Sequence, residues 1–249
     1  MTFTGFFTSL GSGAETGSFV MFSETYSTAG PTSMLVDILG ALALAAVPGT
    51  STDKQVTLTS TRGYGSAITK VNKTLSMPSG ATKDETLMTV MLLALYANVT
   101  CRDAKFNRSW AAHIDGAAHL LQLRGQEQFH TKAGVTMFIH LRARIITACF
   151  LRSRPVPPQL LTLSQQSHPF QTQDELKTAE LADIAFRVCS FRESLSKERF
   201  ANADEIIDAV IALDNAMEAW ATTLPFEYIW TSVAACLWRP LRYLHEQVD

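Results

Sequence analysis

No lysine or arginine occurs in the first 53 residues of this 249-residue chain; the first basic residue is Lys54. A secretory signal needs a basic start before a continuous apolar core, and a mitochondrial transit peptide needs arginines, so neither pattern is met. Long apolar runs are also lacking. The most apolar early stretch, Met34–Val47, has 14 residues and contains Asp37, whereas a bilayer demands roughly 20. The expectation is a soluble, intracellular chain with no membrane partner, on which the N-x-S/T triplets at Asn72, Asn98 and Asn107 are coincidental. Cysteine is sparse. Cys101, Cys149, Cys189 and Cys236 stand 40 to 48 residues apart, with no C-x-x-C and no histidine at ligand spacing. That spacing argues against zinc and for reduced, buried thiols. Charge is low, at 18% of residues with a net charge of −2, which predicts no general attraction to nucleic acid.

Reaction motifs are missing as well. Gly11, Gly13 and Gly17 have the wrong final spacing for a dinucleotide loop, and no strand precedes them. Gly63-Tyr64-Gly65-Ser66 is not a nucleophile elbow, and there is no H-E-x-x-H. His113 and His119 are six residues apart on one predicted helix and so point to different faces; His113 reads as a hydrogen-bonded residue between helices. Arg124 ends that helix and reads as a partner for carbonyls or a neighbouring carboxylate, too distant to pair with Asp115. Arg142, Arg144, Arg152 and Arg154 form the sole basic cluster and read as a solvated or partner-facing group. Trp110, Phe138, Trp220 and Trp230 read as core, with a small-molecule pocket as the sharper alternative. No catalytic, cofactor-binding or metal-binding residue is assigned, and no cofactor is expected.

What the chain has is apolar helical periodicity. With 47% apolar residues it can bury a large core in one large or two small domains. Residues 1–30 predict a poorly ordered lead, rich in Gly, Ser, Thr and Phe. From Pro31 a helix runs to the Pro48-Gly49 stop. A polar loop and a helix over about 61–75 follow, then the Met77-Pro78-Ser79-Gly80 turn. Thr82-Lys83-Asp84-Glu85 reads as a capping box. Between Leu87 and Ala97 only Thr89 is clearly polar, which marks the central helix of a helical domain. A helix from about Asn107 to Arg124 ends on Gly125, and Gly116 with Ala117 are expected where it crosses the central helix. A helix over about 131–151 precedes a long loop at 153–171. Thr172-Gln173-Asp174-Glu175 is a second capping box. The stripes Leu181, Ile184, Val188, Phe191, Leu195 and Ile206, Val210, Leu213, Met217, Trp220, Leu224 read as core faces. Pro225 breaks the chain before a last helix, on which Tyr228, Trp230, Trp238, Leu241, Tyr243 and Leu244 cannot all share the face of Ile229, Val233, Cys236 and Leu237. No β alternation occurs. The fold class is all-α, an irregular bundle of largely antiparallel helices around one central apolar helix.

Three runs carry a resemblance: T-K-D-E-T-L-M-T-V-M-L-L-A-L-Y at 82–96, W-A-A-H-I-D-G-A-A-H-L-L-Q-L-R-G at 110–125, and F-x-x-L-R at 138–142 followed by R-P-V-P-P at 154–158. In this order and spacing they resemble the regulatory, or middle homology, domain of fungal zinc-cluster transcription factors. Arg62–Ala67 and the closing R-P-L-R-Y-L-H at 239–245 fit more loosely. The resemblance spans residues 31–249 and implies a non-catalytic domain in transcription regulation of pathway genes, with secondary metabolism among the candidates. It also implies a nuclear location, protein partners or self-association, and room for a small-molecule effector. The family's six-cysteine zinc cluster is missing from this chain, so direct DNA binding is not implied. The family domain usually runs further, so C-terminal truncation is expected. The alternative is a helical small-molecule-binding protein or an enzyme accessory to a metabolic pathway.

Overall fold

The computed structural model describes residues 30–46, 54–100 and 108–224, together with Thr25. Among the described residues the fold is all-α, with eight α-helices, two 3-10 turns and no strand. The helices are α1 Met34–Ala46, α2 Lys54–Leu75, α3 Asp84–Thr100, α4 Arg108–Arg124, α5 Lys132–Leu151, α6 Pro158–Ser167, α7 Gln173–Ser196 and α8 Ala203–Thr222. The 3-10 turns are Gly125–His130 and His168–Phe170. The expectations for the lead ahead of Gly30, for Cys101 and for residues 225–249, including Trp230 and the last helix, lie outside the described residues.

Helix α3 is the centre of the bundle and packs against α1, α2, α4 and α5. Thr86 to Val90 and Leu92 to Ala97 are buried along it, as an almost uncharged helix requires. Its start differs from the expected capping box: the helix opens at Asp84, and the Thr82 hydroxyl donates to the Ser79 carbonyl at 3.1 Å. Thr172 forms its box in full, with the hydroxyl accepting from the Glu175 amide and the Glu175 carboxylate accepting from the Thr172 amide. Helix α5 is long and apolar enough to cross a membrane by composition, yet Val135, Met137, Phe138, Leu141, Ile145 and Ala148 on it are core. A central helix of a bundle passes the same test.

Two elements depart from the sequence reading. Helix α2 begins at Lys54, so residues 54–60 are helical in place of the expected loop; its first turns carry Thr, Gln and Ser, which propensity alone leaves undecided. Helix α6 lies inside the expected 153–171 loop. Pro158 sits at its first turn, where a missing amide costs nothing, and Leu160, Leu163, Ser164 and Ser167 are its buried face. The two serines hide that stripe in the sequence.

The helix crossings also differ in part from expectation. On α4, Ile114, Ala117, Leu120 and Leu121 face the core as expected, but Gly116 is exposed, and nothing lies within 4 Å of the place a Cβ would take. Gly116 is one residue, or about 100°, off the Ile114–Ala117–Leu121 line. The glycine that permits a crossing is Gly63 on α2, where a Cβ would stand 3.1 Å from the Asp37 carbonyl and 3.2 Å from the Ala41 Cβ on α1. On α7 the deepest line is Ala179, Ala182, Phe186, Cys189 and Glu193. Leu195, counted in the predicted stripe, is 46% exposed. On α8, Ile206, Leu213 and Trp220 turn inward, whereas Val210 and Met217 are exposed. Among the described residues helix α8 packs chiefly on α7, and its Val210 side stays exposed, which periodicity cannot reveal.

Candidate functional site

Around Gly63 the helices are joined by polar contacts. Ser66 donates to the Asp37 carboxylate at 2.5 Å, Lys70 pairs with the same carboxylate at 2.7 Å, and Ser60 donates to the Ala41 carbonyl at 2.8 Å. These ties hold α1 on α2. Tyr64 extends the network to α3 and α4: its ring stacks on Tyr96 at 4.6 Å between centroids, and its hydroxyl lies 2.7 Å from His113 Nε2. Ser60 and Tyr96 share a further bond at 3.0 Å. Burial raises the Tyr64 phenol, with Ser109 pulling it down and Tyr96 adding to the rise. Burial lowers His113. Both groups are therefore neutral at pH 7, and the Tyr64–His113 contact joins α2 to α4 without carrying charge. His113 is the interface residue the sequence predicts; His119 is exposed and bonds the Asp115 carbonyl at 2.8 Å. The sequence reading misses the contributions of Asp37, Ser60 and Tyr96, although the Arg62–Ala67 stretch signals their partners.

Arg124 is buried at the end of α4 and pairs with Asp84 at the start of α3, and it also donates to the Thr82 carbonyl at 2.6 Å. One side chain thus joins two of the runs that carry the resemblance. Gly125 follows at φ +58°, a left-handed conformation that glycine adopts without Cβ strain. It opens a 3-10 turn in place of a plain helix end.

The predicted basic cluster is not one surface group. Arg142 is 1% exposed, donates to Ser164 at 3.0 Å and lies 5.7 Å from the centre of the Phe138 ring. Burial pushes its guanidinium down to about 10, against the pull of Asp183 and Glu175. Burial also lowers Arg144. The cause of the difference is helical geometry: Arg142 stands one turn after Phe138, so it falls on the Phe138–Leu141–Ile145 face, and its long stem packs there. His140, on the same helix, is pushed down to about 4 by burial, with Arg144 adding to the fall and Glu175 opposing it.

Arg152 and Arg154 converge elsewhere. Arg152 donates to the two Asp115 carboxylate oxygens at 2.8 and 3.2 Å and to the Ala111 carbonyl at 3.3 Å. Beyond it, the Ser153 amide bonds the Phe150 carbonyl at 3.2 Å and the Arg154 amide bonds the Cys149 carbonyl at 2.9 Å. With Ser153 at φ +50° this is a Schellman ending, in which glycine is the usual left-handed residue. The turn brings both arginines to a concavity of about 120 Å³ between α4 and the end of α5. Burial raises the Cys149 thiol; Arg152 pulls it down, Asp115 pushes it up and Arg154 pulls it down. Cys189 is pushed up to about 11, mainly by burial. Both are free thiols.

Trp110, Phe138 and Trp220 line no part of this concavity. Phe138 is core, edge-on to Phe129 at 5.0 Å, and Trp220 Nε1 donates to the Lys177 carbonyl at 2.9 Å. Among the described residues no group of three or more His, Cys, Asp or Glu side chains is placed to hold a metal ion.

No curated protein and no solved structure matches the chain. A family model does: the fungal specific transcription factor domain, over residues 38–175. That span runs from within α1 to the first turn of α7, so it contains the central helix, the Arg124–Asp84 tie, the Tyr64 network and the arginine concavity, while α8 lies beyond it. The match covers more than half of the chain and coincides with the runs on which the resemblance rests; the chain belongs to the family of fungal specific transcription factor domains.

Proposed function

We propose that this chain is a non-catalytic regulatory domain that acts in the nucleus on the transcription of pathway genes, through contacts with other proteins. The observation that carries the reading is the family match over residues 38–175; a role in transcription regulation follows from the family, and the route through protein contacts is our inference. Helix α8 supports that route. Ile207, Val210 and Ile211 are each about half exposed and adjacent at helical spacing. All five charged residues of α8, Asp204, Glu205, Asp208, Asp214 and Glu218, are acidic. An apolar patch on a helix whose own charges are all acidic fits an apolar groove with a basic rim on a partner protein, although Arg187 of α7 reaches the Ala212 carbonyl at its edge.

The test separates this reading from its alternatives. The full chain, fused to a heterologous DNA-binding domain, is expected to change transcription of a reporter carrying that domain's sites. The Ile207→Ser, Ile211→Ser double variant, exposed at both positions and therefore expected to fold, should lose most of that effect. A fusion that is expressed, nuclear and without influence on the reporter would overturn the regulatory reading. A full effect in the double variant would remove α8 from it.

A further inference from the structure

We propose that the concavity between α4 and the end of α5 is a binding site for a short aliphatic carboxylate, with the carboxylate on Arg154 and the alkyl chain against Ala118, Pro155 and Pro157. The inference concerns binding alone and goes beyond the regulatory reading without resting on it.

Size comes first. A cavity of about 150 Å³ accepts a benzene molecule, so about 120 Å³ admits a ligand with a chain of about four carbons. Charge comes second. The lining holds one carboxylate, Asp115, and two guanidiniums, Arg152 and Arg154. Asp115 is engaged by Arg152 through both oxygens, which leaves the exposed Arg154 at the rim without a carboxylate partner in the lining. No hydrogen bond or ion pair of the Arg154 side chain occurs among the described residues. The third wall element is Cys149, which its raised thiol keeps neutral, so it adds no competing anion.

Shape and polarity then choose among anions. The accessible wall is apolar: Ala118, Pro155 and Pro157 form it, with Ile145 and Ala148 covered beneath. A tetrahedral inorganic anion would be desolvated against this wall with no gain, whereas a carboxylate with an alkyl tail matches both ends. The left-handed Ser153 is what sets the two arginines on one cavity: a continued helix would turn residues 152 and 154 about 200° apart. The strained conformation is held in place by Arg192, whose Nε donates to the Ser153 hydroxyl at 3.0 Å.

The experiment titrates the full chain with butyrate, butyramide and inorganic phosphate, followed by protein-detected NMR. The expected result is saturable binding of butyrate, with butyramide and phosphate at least about tenfold weaker, since each lacks half of the match. Arg154→Gln, at an exposed position without a side-chain hydrogen bond or ion pair among the described residues, should weaken butyrate about tenfold while leaving thermal stability unchanged. Ala118→Leu, on the cavity wall, should block it. Bound butyrate should also slow alkylation of Cys149, located by peptide mass, and leave Cys189 unaffected. Equal binding of butyrate and butyramide, undiminished binding in a folded Arg154→Gln variant, or no saturation below about 10 mM would each overturn the proposal.

Discussion

Gly63 and Gly116 are two glycines within helices with opposite demands. At Gly63 any side chain meets α1: a Cβ already stands 3.1 and 3.2 Å from the Asp37 carbonyl and Ala41. Gly63→Leu is expected to force the α1–α2 crossing apart and cost about 1–3 kcal/mol in chemical denaturation. At Gly116 the added methyl meets nothing and the residue is exposed. Gly116→Ala should therefore stabilise the chain by about 0.5–1 kcal/mol, because alanine has less freedom to lose on folding. A loss of stability in Gly116→Ala would show that α4 has a neighbour there. His140 makes a different prediction. Its ordinary value of 6.5 falls to about 4 in the fold. Above the ordinary value both folded and unfolded states are neutral at this site and the stability is fully present. As pH drops from about 6.5 toward 4, the unfolded chain takes up a proton that the folded chain refuses, so stability is lost, by up to about 3 kcal/mol. The melting temperature of a His140→Gln variant should fall less over that interval than that of the parent; parallel curves would show that this imidazole is not the group responsible.

Among elements, the α3–α4 pair depends on a charge that is nearly out of water. Arg124 is 8% exposed and has two acceptors, the Asp84 carboxylate at the start of α3 and the Thr82 carbonyl. Its Nε is already without a partner. Taking the carboxylate away leaves a buried guanidinium undercompensated, which costs more than the pair contributes while intact. Asp84→Asn is expected to destabilise by about 1.5–3 kcal/mol. The loss should shrink when Arg124→Met removes the charge as well. A double variant whose loss equals the sum of the two single losses would show that the two groups do not depend on each other.

Taken whole, the chain carries 21 basic and 23 acidic side chains and no cysteine cluster of zinc-ligand spacing. Among the described residues three arginines are already committed: Arg142 is internal, Arg152 is tied to Asp115, and Arg124 to Asp84. A protein that grips phosphates needs several free cations side by side. The purified chain is accordingly expected not to retard a promoter fragment in a gel at physiological salt. Sequence-specific retardation, resistant to competitor DNA, would contradict this.

Local chemistry is enough to show the fold class, the central helix and the Thr172 cap. An uncharged run such as Leu87–Ala97 has one stable location in water, and a Thr-x-x-Glu box satisfies its amides within four residues, so neither depends on distant neighbours. The arginine-ended α4 and its Gly125 are legible for the same reason. Which face a helix buries is not. The stripe on α8 has as many apolar residues as a two-sided core helix, yet among the described residues it packs chiefly on α7, and Val210 and Met217 are exposed. Arg142 looks like a surface charge until α6 and Ser164 close over it. The concavity of Arg152 and Arg154 depends on a left-handed serine that no local rule favours, set by contacts with Arg192 from a helix about 40 residues further along the chain. Periodicity fixes what a segment is; the packing of segments against each other fixes where each side chain ends, because burial is a property of pairs of surfaces.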